Sequence, residues 1–239
     1  MARQDKVTNV IRRTAGEVKR YRILMRVLPI TMAVLVALLA VVYVISLLYD
    51  NYGSFTVTVN KMDNAKYALT LSETPDFANP AGRLNCKANE EITNIDGATL
   101  PLDLDNIDGS HNGENYVAYT FYCKNAGNTE ISYEYQVIIS NMSLDIEKAV
   151  RVRFYINGVS TDYARTKTDG TGPEEGTTEF YTERTITRGQ INGFKPDDIT
   201  KYTVVIWLEG NDIDCVDTIL GGEFKIDMTM SILNIGEAT

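Results

Sequence analysis

From Val27 to Tyr49 the chain reads VLPITMAVLVALLAVVYVISLLY, 23 residues without a charge. No other stretch limits the fold as much. At about 1.5 Å of rise per residue, a helix of this length measures roughly 34 Å, enough to cross a hydrocarbon layer of about 30 Å with modest tilt. Pro29 falls in the first turn, where a missing N–H costs little, so it does not interrupt the helix. Soluble cores seldom need so long an uncharged run. The sequence therefore predicts a single transmembrane helix over residues 27–49.

Charge divides the chain on either side of that run. Residues 1–26 carry eight bases (Arg3, Lys6, Arg12, Arg13, Lys19, Arg20, Arg22, Arg26) against Asp5 and Glu17, a net of +6, whereas residues 27–239 carry a net of −15. Basic flanks stay on the cytoplasmic side, so the expected topology is a cytoplasmic N-terminus and an extracellular C-terminal domain at the plasma membrane. A cleaved secretory signal also begins basic and then apolar, but its apolar part spans only about 7 to 15 residues. Here the run is longer, and Ser46-Leu-Leu-Tyr49 offers no small-x-small cleavage site, so an uncleaved signal-anchor is expected. In the tail, Val7, Val10, Ile11 and Val18 recur near helical spacing among the bases. Two readings stand: an amphipathic helix on the inner leaflet, or a basic flank that only sets topology. The expected organisation is thus a basic tail over 1–26, a span over 27–49 and one outer domain over 50–239.

Beyond the span the apolar period changes from 3.6 to two, the signature of half-buried strands. Ser54 to Asn60 alternates Phe55, Val57, Val59, and Lys66 to Ser72 alternates Tyr67, Leu69, Leu71. Tyr116 to Cys123, Glu130 to Ser140, Val150 to Ile156, Tyr202 to Leu208 and Phe224 to Leu233 follow, with a weaker strand in Thr178 to Thr187. Within Tyr202 to Leu208, Tyr202, Val204, Ile206 and Leu208 share one face, with Trp207 on the other. Asn157-Gly158, directly after Ile156, is a strong hairpin signal because both residues tolerate positive φ. Seven to nine strands without a convincing helix give a mainly β fold, an antiparallel β-sandwich. Thr74 to Glu114 and Ala164 to Thr177 read as long irregular loops.

Three cysteines fall in the outer domain, where disulfides persist. A Cys86–Cys123 bridge would staple the long loop to a strand and stabilise by about 3 to 4 kcal/mol; two free buried thiols are the alternative. Cys215 lies among acids, which raise a thiol pKa and disfavour a nucleophilic role. His111 is the only histidine, so a zinc site built on two or three histidines is excluded, and no Gly-x-Ser-x-Gly elbow accompanies it for a serine triad. Walker and dinucleotide-binding fingerprints are also missing.

Calcium is the one metal with a candidate ligand set. Asp103, Asp105 and Asp108, followed by Gly109 and Glu114, place oxygen ligands in a single loop, although Ile107 stands where an EF-hand carries a ligand. A second acidic loop holds Glu209, Asp212, Asp214 and Asp217. Either set has a plainer reading as acids that keep a surface solvated. No other cofactor is expected.

Two segments resemble a known family. Tyr119 to Tyr135, YTFYCKNAGNTEISYEY, is similar to the strand, Asn-x-Gly turn and strand of TasA/camelysin-type surface proteins of Gram-positive bacteria. Tyr202 to Ile232, with Val-Val-Ile-Trp-Leu-Glu-Gly-Asn-Asp, Gly221-Gly222 and Lys-Ile-Asp-Met-Thr-Met, resembles that family's last two strands. Together they cover about a fifth of the chain. The resemblance implies a jelly-roll-like sandwich at the cell surface, in some members assembled into fibres by lending a strand to a neighbour. The chain departs from the family in its long basic tail and uncleaved anchor. Nothing in it supports the family's peptidase label.

Two functions of different class follow. The first is a membrane-anchored structural or interaction module, in which Ser54 to Asn60 offers Phe55, Val57 and Val59 to a partner's sheet edge. Its expected partners are the lipid bilayer and other cell-surface or membrane proteins, or a second copy, with no nucleic acid. The alternative is a ligand-binding or sensing domain for calcium or carbohydrate, with Trp207 and the tyrosines as stacking surfaces. The lack of catalytic clusters points away from an enzyme. Arg12-Arg13 and Lys19-Arg20 would add attraction to anionic lipid, about 1 kcal/mol for each base near the surface.

Overall fold

Ile131, Tyr133, Tyr135, Val137 and Ile139 are buried and the residues between them are not, so the period-two pattern of this segment becomes a strand with one face in the core. The same rule builds most of the molecule. The computed structural model describes residues 27–43, 54–59, 69–87 and 92–235. Among these residues are one α-helix, α1 (residues 27–43), and twelve strands. These are β1 (Ser54–Val59), β2 (Leu69–Ser72), β3 (Arg83–Lys87), β4 (Gly109–Ser110), β5 (Tyr116–Asn125), β6 (Ile131–Met142), β7 (Val150–Ile156), β8 (Val159–Ala164), β9 (Thr178–Glu179), β10 (Thr185–Phe194), β11 (Ile199–Leu208) and β12 (Phe224–Ile235). The helix and the strands belong to two compact units, Met1–Asn51 and Tyr52–Thr239.

The helix exposes apolar side chains all round, from Val27 at 48% to Tyr43 at 65%. Among the described residues, no helix is long and apolar enough to cross a membrane. Residues 44–49 of the expected span and the basic tail 1–26 lie outside the described residues.

The strands form a five-stranded sheet in the order β10-β6-β12-β1-β3 and a seven-stranded sheet in the order β2-β5-β11-β7-β8-β9, with β4 added to β5. The sheets face one another across an aromatic core. Phe55 meets Tyr119 edge-on at 5.8 Å between centroids, Tyr135 tilts onto Phe154 at 5.6 Å, and Tyr202 stacks between Phe121 at 5.4 Å and Phe154 at 5.7 Å. Burying each such ring contributes about 1.5–3 kcal/mol. Tyr133 and Tyr202 bring their hydroxyls together across the sheets at 2.8 Å, so two buried polar groups satisfy one another.

Among the described strands, pairing is antiparallel with two exceptions: β1 runs parallel to β12, and β8 runs parallel to β9. The expected sandwich is therefore not wholly antiparallel. The 74–114 stretch also holds more order than expected, since β3, β4 and two short 3-10 turns lie within it. β3 was hidden because its sequence, RLNCK, buries only Cys86 fully and so lacks an alternating apolar pattern.

The strand expected to meet a partner has another place. β1 is interior to its sheet, with β12 on one side and β3 on the other, and Phe55, Val57 and Val59 are 2%, 0% and 6% exposed. The expectation that these residues form an interface is corrected. They are core residues of their own sandwich, because both edges of β1 already have backbone partners.

Candidate functional site

A cleft of about 400 Å³ opens on the outer face of the seven-stranded sheet. The strand pattern explains what lines it. In β7, Val150, Val152 and Phe154 point into the core, so Arg151 and Arg153 stand on the opposite face. Trp207 pairs with Arg151 across β11, and Asp162 pairs with Arg153 across β8. The outer face of the sheet thus carries two guanidiniums, a carboxylate and an indole at neighbouring register positions. Loop residues Gly97, Glu209 and Asp212 and the turn around residues 174–177 form the walls.

Almost every polar group here is held by another. Arg151, 4% exposed, makes an ion pair through Nη2 with Asp212 Oδ2, and its Nη1 donates to the carbonyls of Lys148 and Val150 at 3.3 Å each. A buried pair of this kind is tolerated only when the remaining donors also find acceptors, as they do here. Arg153 forks onto Asp162, Nε to Oδ1 at 2.6 Å and Nη2 to Oδ2 at 2.8 Å, and its guanidinium carbon lies 5.5 Å from the Trp207 ring centroid. The hydrogen bonds that Arg153 donates to Asp162 push the Arg153 pKa further up, so this group is a fixed cation.

Glu209 closes the site. Its Oε2 accepts from Trp207 Nε1 at 3.0 Å and from Gly97 N at 3.1 Å, and its Oε1 accepts from Asn211 N at 3.3 Å. A Cβ at position 97 would lie 2.7 Å from Glu209 Oε2 and 2.9 Å from Trp207 Nε1. The loop can approach the indole this closely only because residue 97 is glycine. Leu100 and Leu104, on the same loop, pack with Ala118, Tyr155, Val205 and Trp207 into a small second apolar cluster. Chemically, the cleft is a preorganised polar surface whose charged groups are largely paired with one another.

The sequence-predicted metal ligands are not brought together. Asp105 is held by Lys201 Nζ at 2.7 Å on Oδ2 and by Thr203 Oγ1 at 2.8 Å on Oδ1, and Asp108 Oδ1 accepts from Tyr122 at 2.6 Å. Asp103 and Glu114 are exposed. In the second acidic loop, Asp212 serves Arg151, Glu209 serves Trp207, and Asp214 accepts from Thr168. Among the described residues, no group of three or more His, Cys, Asp or Glu side chains could hold a metal ion. Strand-borne donors instead engage two carboxylates of the expected calcium set, Asp105 and Asp108.

The disulfide is corrected as well, because Cys86, Cys123 and Cys215 are all free. Cys86 lies opposite Phe55 in the five-stranded sheet, while Cys123 lies opposite Leu71 and Thr200 in the seven-stranded one. Cys86 Sγ sits 3.4 Å from Ser110 Oγ and 3.7 Å from Asn112 Oδ1, and burial raises its pKa. Burial pushes the Cys123 thiol up to about 12. Neither sulfur is a ready nucleophile. His111 turns Nδ1 onto the carbonyl of Gly109 at 2.9 Å, within its own loop.

Sequence reasoning missed Arg151, Arg153 and Asp162. The signal was present in Val-Arg-Val-Arg-Phe, where two arginines alternate with core residues. Their carboxylate partners come from β8 and from the 209–223 loop, at separations that no local pattern reports.

No family model matches the chain, and no curated protein matches it. Among solved structures, a β-glucosidase from Kluyveromyces marxianus in complex with glucose is similar at 12% identity and a TM-score of 0.22. The match covers 74% of this chain and 17% of that chain, so this chain spans less than a fifth of that protein's length. At that TM-score the likeness carries no argument.

Proposed function

We propose that the chain is a membrane-anchored, extracellular structural or interaction module of the bacterial cell surface. The observation that carries this reading is α1, whose apolar side chains are exposed along residues 27–43 without a single charge. Such a surface is stable only against lipid or an equally apolar partner. The charge asymmetry of the sequence sets the direction, with the basic tail inside and the acidic sandwich outside. The finer reading is a TasA/camelysin-like, jelly-roll-like domain that contacts another surface protein, a matrix component or a second copy. Its test is N-terminal sequencing and crosslinking of surface material from a Gram-positive host expressing the full chain. An intact N-terminus in carbonate-resistant membranes, with a discrete crosslinked species, is expected. A soluble chain cut near Asp50 would remove the anchor from the proposal.

The cleft favours a second reading, a ligand-binding domain for a hydroxyl-rich polar ligand such as a glycan. Trp207 is 4% exposed and covered by Arg153, so recognition would come from hydrogen bonds rather than from stacking on the indole. Calorimetry with cell-wall oligosaccharides tests it, and binding that Arg153→Ala fails to weaken would place the ligand elsewhere.

A further inference from the structure

β1 follows α1 in the chain, with residues 44–53 between them, and it enters its sheet between two strands instead of at an edge. On one side it runs parallel to β12, from Thr56 opposite Asp227 to Val59 opposite Met230. On the other it is antiparallel to β3, from Ser54 opposite Lys87 to Thr58 opposite Arg83. β12 is itself fixed along its whole length to β6, from Phe224 opposite Met142 to Ile235 opposite Ile131.

We propose that β1 is a mechanical clamp: tension entering the domain through its N-terminal connection acts along β1 and loads its backbone hydrogen bonds on both sides in shear. Parallel pairing puts the N-terminal end of β1 and the C-terminal end of β12 at opposite ends of the sheet. A pull that separates these two termini therefore drives the strands past one another. Hydrogen bonds lying across the pulling direction share the load and break together, whereas a pull perpendicular to a strand opens them in turn. Side chains add a ratchet. A slip of one residue would turn Phe55, Val57 and Val59 from the core to the outer face, and a slip of two would take Phe55 off Tyr119 and Phe121, now at 5.8 and 6.3 Å. The domain thus stays folded under tension from the side on which the chain arrives, and it yields more readily to tension applied elsewhere.

The proposal rests on the anchoring reading only for where load enters the molecule. It is tested with the detergent-solubilised full chain in magnetic tweezers, comparing two attachment geometries. In the first, handles are attached before Met1 and after Thr239. In the second, one handle is attached after Thr239 and the other at Val159→Cys, a 73% exposed position at the β7–β8 hairpin, in a Cys215→Ser background that removes the one cysteine not fully buried. The β7–β8 hairpin lies at the end of the sandwich where β12 finishes, since Ile156 stands opposite Tyr202, Ile199 opposite Lys124 and Ile235 opposite Ile131, so a pull between the hairpin and the end of β12 peels β12 rather than shearing it.

Unfolding at equal load is expected to be about tenfold or more slower in the first geometry. Val57→Ala is expected to shorten the lifetime more in the first geometry than in the second. Equal or shorter lifetimes in the first geometry, or an equal effect of Val57→Ala in both, would overturn the clamp. A clamp that is strong in tweezers while cells release the chain from the membrane would sink the anchoring reading alone. A chain that stays anchored but unfolds readily in the first geometry would sink the clamp alone.

Discussion

The two faces of the seven-stranded sheet are built from the same strands by opposite means. On the inner face, Tyr119, Phe121, Phe154 and Tyr202 pack ring against ring, and only the two hydroxyls need a polar partner, Glu73 for Tyr119 and Tyr133 for Tyr202. On the outer face, Arg151, Arg153 and Trp207 are stable only because Asp212, Asp162 and Glu209 reach them from other segments. Apolar packing is non-directional and tolerates approximate partners, whereas a buried ion demands one partner at one geometry. The inner face therefore sets stability, and the outer face sets shape.

Removing the most enclosed ring should separate the two faces most clearly. Tyr202→Ala deletes a side chain of 0% exposure that contacts Phe121 and Phe154 and bonds Tyr133. A loss of about 4 kcal/mol is expected in urea unfolding, and a loss of ~1 kcal/mol would mean that the core collapses around the cavity. On the outer face, Asp212→Ala strands a buried guanidinium and should cost about 3 kcal/mol, whereas Arg151→Met with Asp212→Leu should restore most of that loss. If the double variant is as unstable as the single one, the pair contributes more than compensation of its own burial.

Arg153→Lys keeps the charge of a partly exposed pair but loses the fork and the flat contact with Trp207, so a loss of only about 0.5–1 kcal/mol is expected. A larger change, accompanied by altered Trp207 fluorescence, would show that the outer face sets stability too. The last contrast has no effect at neutral pH. Cys123 has its folded pKa raised by burial from 9.0 to about 12, so the folded state holds this proton more tightly than the unfolded chain does. Its contribution is complete below pH 9 and is lost as pH rises towards 12. Burial raises Tyr133 and Tyr202 in the same direction. Stability should fall across that window, less steeply in Cys123→Ala, and a slope unchanged by the substitution would assign the alkaline loss to the tyrosines.

Much of the inner face was legible in the sequence. Alternation in Glu130 to Ser140 marked the buried residues of β6, and alternation in Tyr202 to Leu208 separated the two faces of β11 with Trp207 on the far side, although Ile206 and Leu208 are only partly buried and Thr203 and Val205 of the far face are buried too. Legibility failed where a side chain's fate depends on a remote donor. The Asp103, Asp105, Asp108 and Glu114 spacing resembled a ligand loop until Lys201, Thr203 and Tyr122 claimed two of its carboxylates. Phe55, Val57 and Val59 were correctly read as one strand face, but period two reports which residues share a face and not what lies beside the strand.

By itself, the sequence determined that an uncharged apolar run precedes a β-rich acidic region, and which residues of most strands share a face, because hydropathy and period are local properties of a chain. Tertiary structure alone decided that β1 lies parallel to β12 inside its sheet, that Cys86 and Cys123 belong to different sheets, and that Arg151 meets Asp212. Each of those depends on which segments are neighbours in space. That choice is made by closing long loops around a shared core, and no local pattern records it.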